Sequence, residues 1–407
     1  MATRRWIGGA ATLPHKYTLT ITAATDAYVY GITLGGIQAT YTASVGTDTT
    51  STIASAVAAA CAVAKSVYSE LAISVAGAVI TFQTADGAPF TLALVNGSHQ
   101  TLTNTQTGTG PNFVDDADNW SGQTVPQAAD TVIFENTDVD CLYALETHAA
   151  DTFAELRVEQ SFTGKLGLPT RNPNGFEEYR ETYFECGATL CKIGRGGGSG
   201  SPRVKIDLQA VQSTVTVFDS GQSQDDYYAI ILKGTHASNV LNVIKGQVDV
   251  APLDTDVATF LTAVSTYRDT VQSDVSLRFG PGVTLTNGKF YGGVIELEVS
   301  TTTLIVQGAD VTLWGGTHAD IDIFADGTVN YVSSGNLTNL SIADGTFDAS
   351  EAPEEFVVVN TIELFSGGRL LDPNGRINKS YSVDLNECRL EDVELVIGSG
   401  PTVTVST

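Results

Sequence analysis

The sequence predicts a mainly β chain, a right-handed parallel β-helix preceded by a small α+β domain, and three observations carry that expectation. A Gly-x-apolar step recurs in the second half at Gly246, Gly288, Gly327, Gly345 and Gly368, with a looser copy at Gly308. Successive glycines lie 42, 20, 19, 18 and 23 residues apart, so that 42 reads as two steps of about 21. A period of about twenty residues is that of one solenoid coil. Each coil needs a tight corner, where glycine tolerates positive φ, and then a short strand that stacks on the coil beneath. All six glycines are therefore expected on one corner line, spaced about 4.8 Å per coil. The second observation is composition: 40 Gly, one Met and long Thr/Val/Ala stretches favour strands and turns. The third is a change of pattern over 17–95, where alternating strands flank a single helical stretch.

Residues 1–16 form a basic arm, with Arg4, Arg5 and Lys16 and no acid before Asp26. Lacking a periodic apolar pattern, the arm is expected to be loosely held. The domain at 17–95 has expected strands at 17–21, 28–34, 37–41, 71–75 and 78–84, the last continuing as 90–95. Its helix rests on Asp48 or Thr49 as N-cap and on Ile53, Val57, Cys61, Ala64 and Tyr68 along one face. Residues 96–112 are Gly, Ser, Thr, Asn and Gln-rich, the composition of a flexible linker. The β-helix is expected over 113–407, opening with Trp120 as an anchor and a strand near 130–134. Coils between 141 and 210 read as less regular, with loops at 170–175 and 194–200, and clear periodicity starts near 215. Residues 254–269 fit either a capped helix or a strand. The long gap from Gly246 to Gly288 needs a coil, and 257–267 is the only apolar run able to build it, so strand is favoured.

A net charge of −25 with 21 Lys+Arg argues against a nucleic-acid partner, which needs clustered cations to displace counterions. No apolar run has the length of a membrane span or a signal peptide, so no membrane partner is expected and synthesis in the cytoplasm is. Five scattered cysteines, an odd number, predict buried unpaired thiols rather than a disulfide framework.

Trp6-Ile7-Gly8-Gly9, together with Asn119-Trp120-Ser121-Gly122, Val125-Pro126 and Asp130-Thr131-Val132-Ile133-Phe134, resembles the opening of a group of tailed-bacteriophage virion proteins. In that group the two Trp elements lie close together ahead of a β-helix; here the 17–95 module stands between them, and it resembles a small domain recurrent in phage structural and tail proteins. Gly196 to Ser201, Leu241 to Gly246, Ala251-Pro252, Ser273-Asp274-Val275 and Gly280 to Thr286 match the group too. The resemblance covers most of the chain through short motifs. It implies a non-enzymatic structural role in the virion and self-association as a homotrimer, and it does not fix head against tail.

Phage β-helices can cleave glycans with paired carboxylates, which makes the acids worth inspecting. Asp225-Asp226 beside Tyr227-Tyr228 is the most site-like cluster, but neighbours on a strand point to opposite faces and do not converge. Asp115-Asp116, Glu177-Glu178 and Glu354-Glu355 share that defect and read as solvated loops. The histidines His15, His99, His148, His236 and His318 lack metal-ligand spacing, and the 194–200 loop has neither a nucleophile elbow nor a phosphate-binding ending. Trp120 and Trp314 read as packing anchors. No catalytic, cofactor or metal site is expected.

The expected function is therefore capsid decoration, a head-spike or cement protein bound to the major capsid protein. Arg4, Arg5, Trp6 and Lys16 are the expected attachment residues, the cations gripping an acidic lattice and Trp6 anchoring. A second expectation for Trp6 is that it caps the first coil against Trp120. The alternative function is a tail fibre or tailspike that binds host surface polysaccharide.

Overall fold

The computed structural model describes residues 2–224, 228–266, 275–378, 380–399 and 402–406. The chain is mainly β, dominated by two parallel sheets of 14 and 11 strands. From Phe184–Glu185 onward, successive strands alternate between them: Gly187–Ile193 joins the longer sheet, Val204–Asp207 the shorter, Thr214–Val217 the longer again. Period-2 alternation gives each sheet one apolar face. In the longer sheet Leu304 and Val306 stack on Ile321 and Ile323, then on Leu340 and Ile342, then on Ile362 and Leu364. Ile295 and Leu297, Val311 and Leu313, and Val329 and Tyr331 do the same in the shorter one. All of these are buried, in a single apolar core that runs from Trp6 to Leu385. Each such aliphatic side chain contributes about 2 kcal/mol.

Register locates the corner line. In the shorter sheet Gly246 pairs with Val275, Ser276 with Val294, and Gly293 with Ala309. Thr328 pairs with Asp310 and Thr346, and Thr346 with Arg369, so the residues just before them, Ala309, Gly327, Gly345 and Gly368, share one column. Gly246 and Gly293 stand in that same column, and Gly308 is one residue upstream of it. Gly288 does not belong there: it is inside the Val283–Phe290 strand of the other sheet, paired with Ala263 and Leu304. The reason for glycine differs from the expectation at part of the column. Gly246 and Gly293 are at positive φ as expected, but at Gly327, Gly345 and Gly368 the positive φ falls on the residue before, at Asp326, Asp344 and Gly367. What excludes a side chain at those three is close approach: a Cβ on Gly327 would be 2.7 Å from the Val306 carbonyl oxygen, and one on Gly368 2.6 Å from that of Ile342.

The expected strand within 254–269 is present as Ala258–Ser265, between Val240–Val243 and Val283–Phe290. Regular stacking starts earlier than periodicity suggested, since Thr152–Val158, Gly187–Ile193 and Thr214–Val217 are already in parallel register. The irregularity lies in the turns between them.

The first strand of the longer sheet is Thr3–Arg5, which pairs in parallel with Thr131–Phe134. Residues 3–6 are thus fixed on the parallel stack rather than loosely held, and the stack does not begin at 113. Between them and the rest of the stack comes an antiparallel region. A four-stranded sheet has the order Ala72–Ala76, Val79–Thr84, His15–Ile21, Gln100–Gln106, and a three-stranded sheet joins Ile37–Thr42, Val29–Leu34 and Leu92–Leu94. Helix α1, Thr50–Ala64, is capped by Thr49, whose hydroxyl accepts from the Thr52 amide in a capping box. The chain leaves the helix at Lys65 and Ser66, both at positive φ, so Tyr68 falls on the following 3-10 turn, Ser66–Glu70. Its ring stays buried and its hydroxyl donates to the Ile37 carbonyl at 2.8 Å. The expected linker at 96–112 is largely structure: Gln100–Gln106 is a sheet strand, and Thr109 bridges to Leu13. Threonine and glutamine suit an exposed edge strand as well as they suit a linker, which is why composition misled.

Candidate functional site: an N-terminal clasp, a junction and an outer cleft

The four residues expected to form an attachment arm do not act together. Arg4 ion-pairs with Asp130 at 3.4 Å and Arg5 with Glu135 at 2.6 Å, both acids flanking the neighbouring strand. Asp130 also accepts from the Ala2 amide, and these bonds hold its carboxyl below the usual range against the opposing effect of burial. Trp6 is 1% exposed, edge-on to Trp120 with ring centroids 5.1 Å apart, and its indole donates to the Val139 carbonyl at 2.9 Å. Trp120 donates in turn to the Val114 carbonyl at 2.7 Å. This is the arrangement of the capping expectation: the Trp pair closes one end of the apolar core, and the arginines clasp the strand over it. Lys16 lies apart, within His15–Ile21 of the antiparallel sheet. An acid-free stretch of sequence is not an acid-free neighbourhood, because parallel pairing brings acids from 130 and 135 alongside it.

The other expected candidates separate as follows. Asp225, Asp226 and Tyr227 lie outside the described residues. Glu177 and Glu178 are not both solvated: Glu177 pairs with Arg171 on the surface, but the Glu178 side chain is 1% exposed and bound to Arg180 at 2.7 Å. Glu354 and Glu355 are exposed, as expected. Trp120 is an anchor, whereas Trp314, directly after the Ala309–Leu313 strand, is 51% exposed and is not a buried packing anchor. His318 is buried and bonded to Thr301 at 2.8 Å, and burial pushes its pKa down to about 4. No group of His, Cys, Asp and Glu among the described residues is arranged for a metal ion, and no helix there is long and apolar enough to cross a membrane. All five cysteines are unpaired; four are buried and Cys388 is half-buried.

Arg180 marks the junction between the antiparallel region and the parallel stack. It reaches Glu70 at 3.0 Å as well as Glu178, and lies over the rings of Tyr179 and Tyr143 at 4.7 and 5.5 Å. Tyr143 donates to Asp86 at 3.3 Å, and Asn174 donates to the Ser66 carbonyl at 3.3 Å. Burial raises the Glu70 carboxyl although Arg180 opposes it. A guanidinium shared by two carboxylates and two rings fixes orientation, because moving either side strands a buried charge.

A cleft of about 670 Å³ opens on the outer face of the longer sheet, lined by Asp320, Asp322, Asn339, Ser341, Asn360 and Glu363 among others. The Asn339 amide donates to Asp320 and the Asn360 amide to Asn339, a ladder running across successive strands. Burial, with Asp320 and Glu363 nearby, raises the Asp322 carboxyl. Sequence reading missed this group because it weighed only adjacent acids. The signal was present as polar residues at Thr303, Asp320, Asn339 and Asn360, recurring every 17 to 21 residues.

The chain matches no family model, and no curated protein aligns with it significantly.

Proposed function

We propose that the two parallel sheets are walls of a right-handed parallel β-helix preceded by a small α+β domain, and that the chain is a non-enzymatic structural component of a bacteriophage virion. Right-handedness follows from the general rule for parallel crossovers. The role assigned is capsid decoration on the major capsid protein. The observation that carries this reading is the single apolar core along the stack, closed by Trp6 and Trp120, inside a chain of net charge −25. Such an element is stiff, and its charge keeps it soluble at high local copy number. Attachment belongs to surfaces other than Arg4 and Arg5, which are committed to Asp130 and Glu135. The test is co-sedimentation of purified protein with capsids that lack it. Saturable binding that reaches a fixed ratio to the major capsid protein is expected, and no binding to capsids sinks the proposal.

A second reading, a tail fibre or tailspike that binds host polysaccharide, draws support from the outer cleft, whose carboxylates, amides and hydroxyls suit sugar hydroxyls. It requires saturable binding of host capsule or lipopolysaccharide that Asp320→Ala weakens. Under the decoration reading the protein shows no such binding and releases no oligosaccharide.

A further inference from the structure

We infer that the Ala72–Ala76 strand is a self-association edge, at which a second copy of this chain pairs antiparallel across a two-fold axis. Among the described residues the strand is the outermost of its sheet and pairs only with Val79–Thr84, so half its backbone groups face outward without a sheet partner there. Edge strands are ordinarily protected by charge, proline or a bulge. Here the sequence is Ala-Ile-Ser-Val-Ala, paired without a register shift. Its core-facing side chains, Ile73 opposite Phe82 and Val75 opposite Ile80, leave the apolar layer open at the edge, with Val75 39% exposed. A groove of about 690 Å³ continues that opening between Ile73, Leu71, helix α1 and Phe176, which is 47% exposed. Ser66, 2% exposed, has a hydroxyl without a hydrogen-bond partner among the described residues at the groove.

Charge identifies the occupant as another copy. The chain carries 46 acids, and self-contact through most of its faces brings like charges together. Between 49 and 84 the only charged residues are Lys65 and Glu70, and Glu70 is already bound to Arg180. The face made by this strand and the exposed side of α1, including Ala59, Ala62 and Val63, is therefore one on which two copies meet without repulsion. The strand is also self-complementary. Antiparallel pairing centred on Ser74 sets Ile73 opposite Val75 of the second copy, keeps both apolar faces on one side, and fuses two four-stranded sheets into one. The inference does not rest on the virion reading, departs from the homotrimer which that resemblance implies, and needs only the purified chain.

Light scattering on the full chain, eluted from a sizing column, reads the outcome. A two-chain particle, twice 42.8 kDa, is expected for the native protein. Ser74→Lys and Ser74→Glu, at an exposed position facing away from the core, should each run as a single chain with an unchanged melting temperature, and mixing the two should restore the two-chain particle. Thr103→Lys, on the opposite edge of the same sheet, should leave it intact. A single-chain native protein at high concentration overturns the inference. So does a three-chain particle, the homotrimer that the resemblance to virion proteins implies, or a mixture of the two charge variants that stays single-chain.

Discussion

Asp249 shows how a single buried carboxyl ties stability to pH. It faces outward on the shorter sheet with its side chain 3% exposed, and Arg278 lies 3.6 Å away, itself bound to Glu298 at 3.2 Å. Burial pushes the Asp249 carboxyl up to about 7, with Arg278 opposing and Glu298, Glu296 and Asp256 adding to the rise. A carboxyl raised in the folded state favours the protonated fold. Its contribution is intact below the ordinary carboxylate range and is lost as pH climbs from about 4 to 7. Asp249→Asn removes that titration. The melting temperature of the variant should match the native protein near pH 4 and exceed it above pH 7, and a gap that shrinks with rising pH would contradict the assignment. Trp6 provides the second residue-scale test, because its ring fills the space between Trp120 and Phe134. Trp6→Ala should lower unfolding free energy by about 3–5 kcal/mol in a denaturant titration. Arg5→Ala, which removes an ion pair half open to solvent, should cost under about 1 kcal/mol. Equal losses would mean that the arginines, not the indole, hold the clasp.

At the scale of elements, the corner glycines separate two physical demands that the sequence presents identically. A Cβ at Gly345 would stand 2.8 Å from the Gly327 carbonyl oxygen and 2.5 Å from the Ile323 side chain, packed between coils. A Cβ at Gly288 would meet only side-chain ends, Phe290 at 2.9 Å and Leu304 at 3.0 Å. Gly345→Ala should therefore lower the melting temperature by more than Gly288→Ala, and the reverse order would count against the corner assignment. Gly288 was misread because a Gly-x-apolar step fits a strand interior as well as a corner. The column residues from Gly246 to Val275 and on to Gly293 are 29 and 18 apart, so the spacing between paired strands follows no fixed period. The strand at Ala258–Ser265 was legible for a firmer reason: the expected repeat required a strand between two others, and only one apolar run was available. Helix α1 was legible from its cap and its apolar spacing, but its end was not, since positive φ at Lys65 and Ser66 has no signature in those residue types. The outer cleft was the least legible, because its members, 17 to 21 residues apart from Thr303 to Asn360, become neighbours only through stacking.

The whole molecule combines an acidic stack, closed at one end by a Trp pair, with an antiparallel region nearly free of charge between 49 and 84. Arg180 couples them, and Arg180→Ala should leave the buried Glu70 and Glu178 without their cation. Hydrogen exchange should then accelerate on both sides of the junction, around 66–70 and 170–180, while the Leu304 to Leu364 core stays protected. Unchanged exchange at the junction would mean that the rings of Tyr143 and Tyr179 suffice. The most direct test of the virion role is electron microscopy of intact virions with this gene product labelled. Label distributed over the capsid surface, at a constant ratio to the major capsid protein, is the predicted result; label confined to the tail tip, or absent from purified particles, would contradict it.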